Sequence, residues 1–327
     1  MDLPAAVSEI RSADLSVLTY NVRGLPWPAA RGRAKALRQI GRELATLRAD
    51  GRAPDVVLVQ EGFRGEMAEL VAASGYRYWA QGPGRAAAPD GPPPPAAKGW
   101  RKVAHPLAGE GLGKVTGGGL HILSDLPITA TRSAAFRYCA GIDCLANKGV
   151  MLARLSVPGL PVEVEVANTH MNARRAARAP AARTLKAHNL QTDELLGFLA
   201  RKRSADLPLL IGGDFNVRNA PERYDYGPSR PYKVVAEYCH TVSAACAVKT
   251  DDQTPWLRSQ DLQGFAGAGQ VQITPVAAGT LFDKGLSDHA GYLVRYRLTW
   301  TPERESPPPV RVRPQLATPG LKVTLSY

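Results

Sequence analysis

The sequence predicts an α+β fold of layered sheets in which strands outnumber helices. Short β-branched runs recur from about residue 15 to residue 300, and they do not alternate one-to-one with helical segments, which argues against a doubly wound sheet. The chain also carries 31 glycines and 27 prolines in 327 residues, too many for a helical bundle or a long coiled coil. At 44% hydrophobic residues it has enough apolar material for a large core, so disorder throughout is excluded.

The elements follow in order. Leu15–Tyr20 reads as a strand, and Arg33–Leu47 spaces its apolar residues as a helix does. Asp55–Gln60 is a short buried strand by length and β-branching, Met67–Ala73 one or two helical turns, and Tyr76–Trp79 an aromatic strand. Residues 82–99 (GPGRAAAPDGPPPPAAKG) are too proline-rich for a regular element and read as an exposed loop inserted in the domain. Strands resume at Gly118–Ser124, Gly149–Val157 and Val162–Asn168. A long helix fits Ala182–Arg203, and strands follow at Leu207–Ile211, Val271–Thr274 and Tyr292–Trp300. One catalytic domain over residues 14–301 accounts for this pattern. The Pro- and Arg-rich tail, 302–327, is expected to pack on its surface, with Leu321–Tyr327 a possible last strand.

The formal charge is +12, and nearly three quarters of the basic residues are arginine. That balance suits an anionic partner: nucleic acid, an anionic membrane or a phosphorylated substrate. No stretch approaches the ~20 apolar residues of a membrane-spanning helix. The cysteines fall in close pairs, Cys139 with Cys144 and Cys239 with Cys246, and neither pair has the spacing of a zinc site. Two short-loop disulfides would fit an oxidising compartment; reduced bystander cysteines are the alternative. The expectation is a secreted or periplasmic protein whose signal peptide was removed ahead of this numbering.

Polar residues interrupt or end the apolar strands. Asn21 ends LSVLTY, Glu61 ends DVVLVQ, His170 follows VEVEVANT, Asp214 and Asn216 follow LPLLIGG, and Asp288-His289 precedes AGYLVRYRL. Each alone has an ordinary reading, such as a turn cap for Asn21 or a structural histidine for His170. Together they place buried polar groups on one sheet edge, where carboxylates are costly unless paired or metal-bound. Glu61 and Asn21 offer hard oxygen ligands of the kind Mg²⁺ prefers. Two histidines can act as base and acid near neutral pH. The set describes metal-assisted hydrolysis of a phosphoester.

TYN (19–21), QE (60–61), TH (169–170), GDFN (213–216) and SDH (287–289) stand in the order that resembles the endonuclease/exonuclease/phosphatase superfamily, the fold of DNase I. The resemblance implies a four-layer α/β/β/α sandwich of two mixed sheets flanked by helices. It implies Glu61 as the principal metal ligand with Asn21 beside it, and Asp288 orienting His289 or assisting the metal. His289 would be the general base, His170 would stabilise or protonate phosphoryl oxygens, Asp214 would orient the water, and Asn216 would hold the phosphate. Asp261, in SQDLQ, resembles the aspartate of the family's strand before the final SDH, and is expected to act from behind the others at most.

Within that superfamily the segment DCLANKGVMLARL (143–155) is similar to one of the bacterial neutral sphingomyelinases. This implies Lys148 facing the cleft, with His188 and Arg183 on the following helix as phosphate contacts. Trp27, Trp256 and Phe265 are candidates for seating in a membrane. The expected reaction is Mg²⁺-dependent hydrolysis of sphingomyelin, or of a related phospholipid, to ceramide and phosphocholine, with Mn²⁺ or Co²⁺ as substitutes. The partner is a phospholipid membrane surface, and no obligate protein partner is expected. The alternatives are a nonspecific DNase I-like endonuclease, favoured by the charge, and an inositol-phosphate phosphomonoesterase.

Overall fold

The computed structural model describes residues 9–26, 29–227, 229–242, 246, 253–282 and 285–302. The 302–327 tail beyond Pro302, its possible last strand and Trp27 lie outside the described residues. The strands are β1 (Arg11–Asn21), β2 (Val56–Gln60), β3 (Tyr78–Gln81), β4 (His121–Ser124), β5 (Ile128–Ala135), β6 (Gly149–Leu155), β7 (Val164–His170), β8 (Leu209–Asp214), β9 (Lys233–Val234), β10 (Asp261–Ala266), β11 (Val271–Leu281) and β12 (Gly291–Trp300). The helices are α1 (Arg33–Ala49), α2 (Met67–Ser74), α3 (Ala181–Lys202), the single turn α4 (Pro221–Tyr224) and α5 (Val235–Thr241).

Two six-stranded mixed sheets form, ordered β11-β12-β1-β2-β4-β3 and β5-β6-β7-β8-β10-β9. The alternation of side chains along the central strands builds four layers. Val56 and Leu58 of β2 point into an inter-sheet core with Met151, Val166 and Leu210, while Val57 and Val59 point the other way, against Leu37, Ile40 and Leu44 of α1. Val150 and Leu152 of β6 likewise face Leu195, Phe198 and Leu199 of α3. Strands buried on both faces explain why these runs are apolar without a polar alternate.

Each sheet contains one parallel pair. β1 and β2 are joined through α1 and pair Asn21 with Gln60; β7 and β8 are joined through α3 and pair His170 with Asp214. The carboxyl ends of four central strands therefore open on one side, the usual place for a site in a sheet of this kind. The backbones run very close at that edge. A Cβ on Gly213 would lie 2.1 Å from the Thr169 carbonyl oxygen, so GDFN needs its glycine. The two sheets are tied there by polar groups as well: Gln60 donates to Asn168 Oδ1 (2.7 Å), and Asn168 Nδ2 donates to the carbonyls of Val59 and His121 (2.9 Å each).

Three strands escape the hydrophobic pattern, among them the two-residue β9. β5 is mostly exposed, and its ITATRSAA sequence offers little hydrophobic signal. β10 reads DLQGFA, where two polar side chains face inward. β11 runs longer than Val271–Thr274 because it stays paired with β12 across an irregularity at Pro275–Ala277, where an edge strand tolerates proline. Both cysteine pairs are disulfides, Cys139–Cys144 and Cys239–Cys246.

Candidate active site

The strand ends converge as the sequence predicts. Asn21, at the end of β1, divides its side-chain amide between two carboxylates, donating to Glu61 Oε1 (3.0 Å) and to Asp214 Oδ2 (2.9 Å). Glu61 follows β2 in a left-handed backbone conformation (φ 57°), and Asn216 follows β8 in another (φ 53°). A non-glycine residue held there costs on the order of 1–2 kcal/mol. The surrounding fold imposes both conformations, which turn each side chain off its strand. Asp214 is tied down by the Asn216 backbone N–H, which donates to Oδ1 (3.0 Å), and Asn216 Nδ2 donates to the Met171 carbonyl (2.9 Å).

His170 ends β7, fully buried, with Nε2 3.4 Å from Asp214 Oδ2 and 4.0 Å from Glu61 Oε1. Lys148 enters from the turn before β6 and spends its three donors on Asp143 Oδ2 (2.9 Å), His170 Nε2 (2.9 Å) and the Met171 carbonyl (3.2 Å). A Cβ on Gly149, the next residue, would meet the Ala134 carbonyl oxygen at 2.0 Å, so the NKG turn is fixed by close strand approach. Burial, then the Lys148 charge, hold His170 well below the usual histidine range. With Lys148 donating to its Nε2, His170 is a neutral imidazole whose cleft-facing nitrogen accepts, so it holds the Lys148 ammonium in place and has no proton there to give a phosphoryl oxygen.

The orientation of His289 corrects an expectation. Its Nδ1 sits 2.7 Å from Asp261 Oδ2, not against Asp288. Asp288 points outward, half exposed, with Arg23 at 3.4 Å. Asp261 reaches His289 because it pairs across the ladder with Asp214, which puts two carboxylates side by side at the same edge. That ladder position was the missed signal: the resemblance put Asp261 on a strand, but SQDLQ shows no hydrophobic alternation and nothing in it paired Asp261 with His289. Burial opposes a charged His289, but Asp261, Asp214 and Asp288 outweigh it and raise its pKa to about 10.

Four further expectations are overturned. His188 is buried in α3 with Nε2 2.8 Å from the Phe215 carbonyl, and burial lowers it to about 3; it braces the turn after β8 and lines a small internal cavity with Phe215 and Arg223 instead of the carboxylate cluster. Arg183 forks onto Glu110, at 2.7 Å to each carboxylate oxygen, so its charge is already matched. Trp256 stacks on Tyr224 (centroids 6.0 Å apart) at the edge of the core, and Phe265 is buried between the sheets against Tyr238 and Tyr296. Neither is an exposed tip.

The residues fit a divalent cation. Glu61, His170 and Asp214 each offer a ligand atom within 4.8 Å of the others, and so do Asp214, Asp261 and His289. Glu61 Oε2 is buried with no hydrogen-bond partner, an oxygen lone pair left over by the protein's own bonding. Burial raises Glu61 and Asp214 above the usual carboxylate range, Asp214 to about 6, against the lowering effect of Lys148 and His289, so a bound cation would ease their ionisation. A groove of about 290 Å³ opens on the Gly62 side of Glu61, bordered by Phe63, Arg64, Trp79, Pro83 and Gly119, and none of the cluster's carboxylates or histidines lines it.

Crowded hard-oxygen ligands with a lone pair to spare, next to an imidazole steered by a carboxylate, suit metal-dependent hydrolysis of phosphoric diesters, and this chain is an enzyme of that class. It belongs to the Endonuclease/Exonuclease/phosphatase family, whose sequence model matches residues 18–261. Among solved structures it is similar to sphingomyelinase C from Streptomyces griseocarneus, with 23% identity, 86% of this chain and 99% of that chain covered, and a TM-score of 0.55. Beta toxin from Staphylococcus aureus with bound magnesium ions gives 19% identity, 89% and 100% coverage, and a TM-score of 0.53. D. rerio TDP2 complexed with single strand DNA product gives 15%, 87% and 99%, and 0.56. Comparison with curated proteins finds no match.

Proposed function

We propose that this protein is an exported, Mg²⁺-dependent phospholipid phosphodiesterase that splits sphingomyelin, or a closely related phosphosphingolipid, into ceramide and phosphocholine. One observation carries the lipid reading. The ANKG segment that resembles the sphingomyelinases delivers Lys148 into the cleft, 2.9 Å from His170, instead of leaving it in solvent. Two disulfides accord with export.

Glu61 and Asp214 would hold the Mg²⁺, with Asn21 fixing both carboxylates. When bound, the cation polarises the phosphoryl group and offsets the carboxylate charge that keeps a proton on His289. His289, aligned by Asp261, takes the proton of the attacking water at Nε2. Asp214, 3.9 Å from that nitrogen, orients the water. With substrate bound, Lys148 would exchange one of its three protein contacts for a phosphoryl oxygen, where its charge is worth most because the site is buried, with Asn216 and His170 beside it.

The net charge of +12 favours a second reading, a nuclease acting on the phosphodiester backbone. A headgroup panel tests the first: sphingomyelin, phosphatidylcholine and ceramide phosphoethanolamine in mixed micelles with Mg²⁺, products resolved by mass. Phosphocholine released fastest from sphingomyelin supports the proposal. Equal inertness of all three lipids sinks it.

A further inference from the structure

Five of the nine exposed large hydrophobic side chains among the described residues gather in one region: Val103, Leu107, Leu112, Val115 and Ile142. Leu107 is fully exposed, Leu112 71% and Val115 61%. Isolated surface leucines need no explanation, but a group on one loop does. The Val103 side chain lies against Gly111 and the Ile142 backbone against Gly109, which sets both beside the stretch that carries Leu107 and Leu112.

The loop is built, not loose. Glu110 is buried at its base and accepts hydrogen bonds from the backbone N–H groups of Ala104 (2.8 Å), His105 (3.1 Å) and Gly141 (2.9 Å). Arg183 neutralises it from α3, stacks over Trp100 (4.1 Å) and donates to the Arg101 carbonyl (2.8 Å). With its polar groups turned inward on this hub, the loop presents its leucines outward.

Charge points to what meets them. From Lys98 to Gly117 the only acid is Glu110, which faces inward, whereas Lys98, Arg101 and Lys102 are exposed. A loop with an apolar tip, exposed cations and no outward carboxylate of its own matches the interface of a phospholipid bilayer, phosphates above and acyl chains below. The loop also abuts the cleft. Its returning limb hydrogen-bonds to the chain leading into Lys148, with Val115 N donating to the Leu145 carbonyl (2.7 Å) and Asn147 N to the Thr116 carbonyl (3.1 Å).

We propose that residues 98–117, together with Ile142, form the membrane-docking surface, seating Leu107 and Leu112 in the bilayer interface so that the Lys148 side of the cleft faces the lipid phosphates. It rests on the lipid reading for its purpose, yet it is testable without turnover. The probe is vesicles of phosphatidylcholine with a minority of phosphatidylserine, lacking sphingomyelin, in a flotation assay. Leu107→Ser and Leu112→Ser each weaken vesicle binding roughly tenfold or more, as expected for withdrawing a leucine from an apolar phase. Val242→Ser, exposed away from the patch, leaves binding unchanged. Turnover of the soluble diester bis(p-nitrophenyl) phosphate is unchanged in all three, which shows the fold and cleft intact. Leucine variants that bind vesicles as the wild type does overturn the proposal, as does a wild type that does not bind. Leucine-dependent binding without release of phosphocholine from sphingomyelin upholds the docking surface and overturns the substrate reading.

Discussion

Replacing Asp261 by Asn isolates the orientation of His289. The 2.7 Å contact between Asp261 Oδ2 and His289 Nδ1 is charge-assisted, and such a bond is worth ~1.5–3 kcal/mol. At ~1.4 kcal/mol per tenfold change in rate, its loss alone slows catalysis by about 10- to 150-fold. Asparagine does more harm than that. Its amide NH2 can donate to Nδ1, which moves the imidazole proton to Nε2, the nitrogen that must accept from water. A wrong tautomer of this kind costs ~10⁴ in kcat in the serine protease triad. The expected loss for D261N is therefore between ~10² and 10⁴ in kcat with KM little changed, read on bis(p-nitrophenyl) phosphate at saturating Mg²⁺. The His289 imidazole, followed by NMR in the metal-free protein, should also titrate well below the wild type's, whose pKa is about 10. Asp288→Asn, at the exposed partner of Arg23, should stay within a few-fold of wild type. A D261N protein keeping more than a tenth of its kcat beside a crippled D288N would return the orienting role to Asp288.

Glu61→Gln keeps the acceptor toward Asn21 but removes the charge, so Mg²⁺ affinity measured by calorimetry should fall at least tenfold while the fold persists; unchanged affinity would place the cation elsewhere. Arg183→Ala strands Glu110 in the protein interior and should cost ~3–5 kcal/mol in urea unfolding, with KM for a soluble diester unmoved. A raised KM without destabilisation would make Arg183 a phosphate contact after all. Burial, more than the opposing hydrogen bond from Arg137, raises Glu194 to about 7, above its unfolded value near 4.5. The folded state then holds this proton longer than the unfolded chain does, so stability falls as pH rises from about 4.5 to about 7, by up to ~3 kcal/mol. Glu194→Gln should flatten that slope and be the more stable protein at pH 8, and an unaltered slope would show that Glu194 is ionised at low cost.

The sequence made the apolar strands and the polar residues at their ends legible because both signals are local. Val56–Gln60 and Leu209–Asp214 are continuous buried runs, and a polar side chain ending such a run is conspicuous. What remained hidden depended on pairing. Asp261 reaches His289 only because β10 lies beside β8; the resemblance put SQDLQ on a strand, but its hydrophobic pattern does not say which strand it pairs with. Arg183 and His188 stood at plausible helical spacings, but periodicity does not reveal Glu110, brought in from a loop 73 residues earlier, or the Phe215 carbonyl. The tryptophan and phenylalanine singled out for a membrane became core packing, since aromatic residues carry the same signal in either place. The exposed leucines went unremarked because a leucine between prolines and glycines looks like any loop residue until its burial is known.

The central claim, a metal-dependent cleft that cleaves a lipid phosphodiester, is tested most directly by running sphingomyelin in mixed micelles against double-stranded plasmid DNA with Mg²⁺, using EDTA and a His289→Ala protein as controls. The expected result is phosphocholine release that both controls abolish, with the plasmid left intact. Plasmid cleavage with the lipid untouched would contradict it, and would assign the basic surface to nucleic acid.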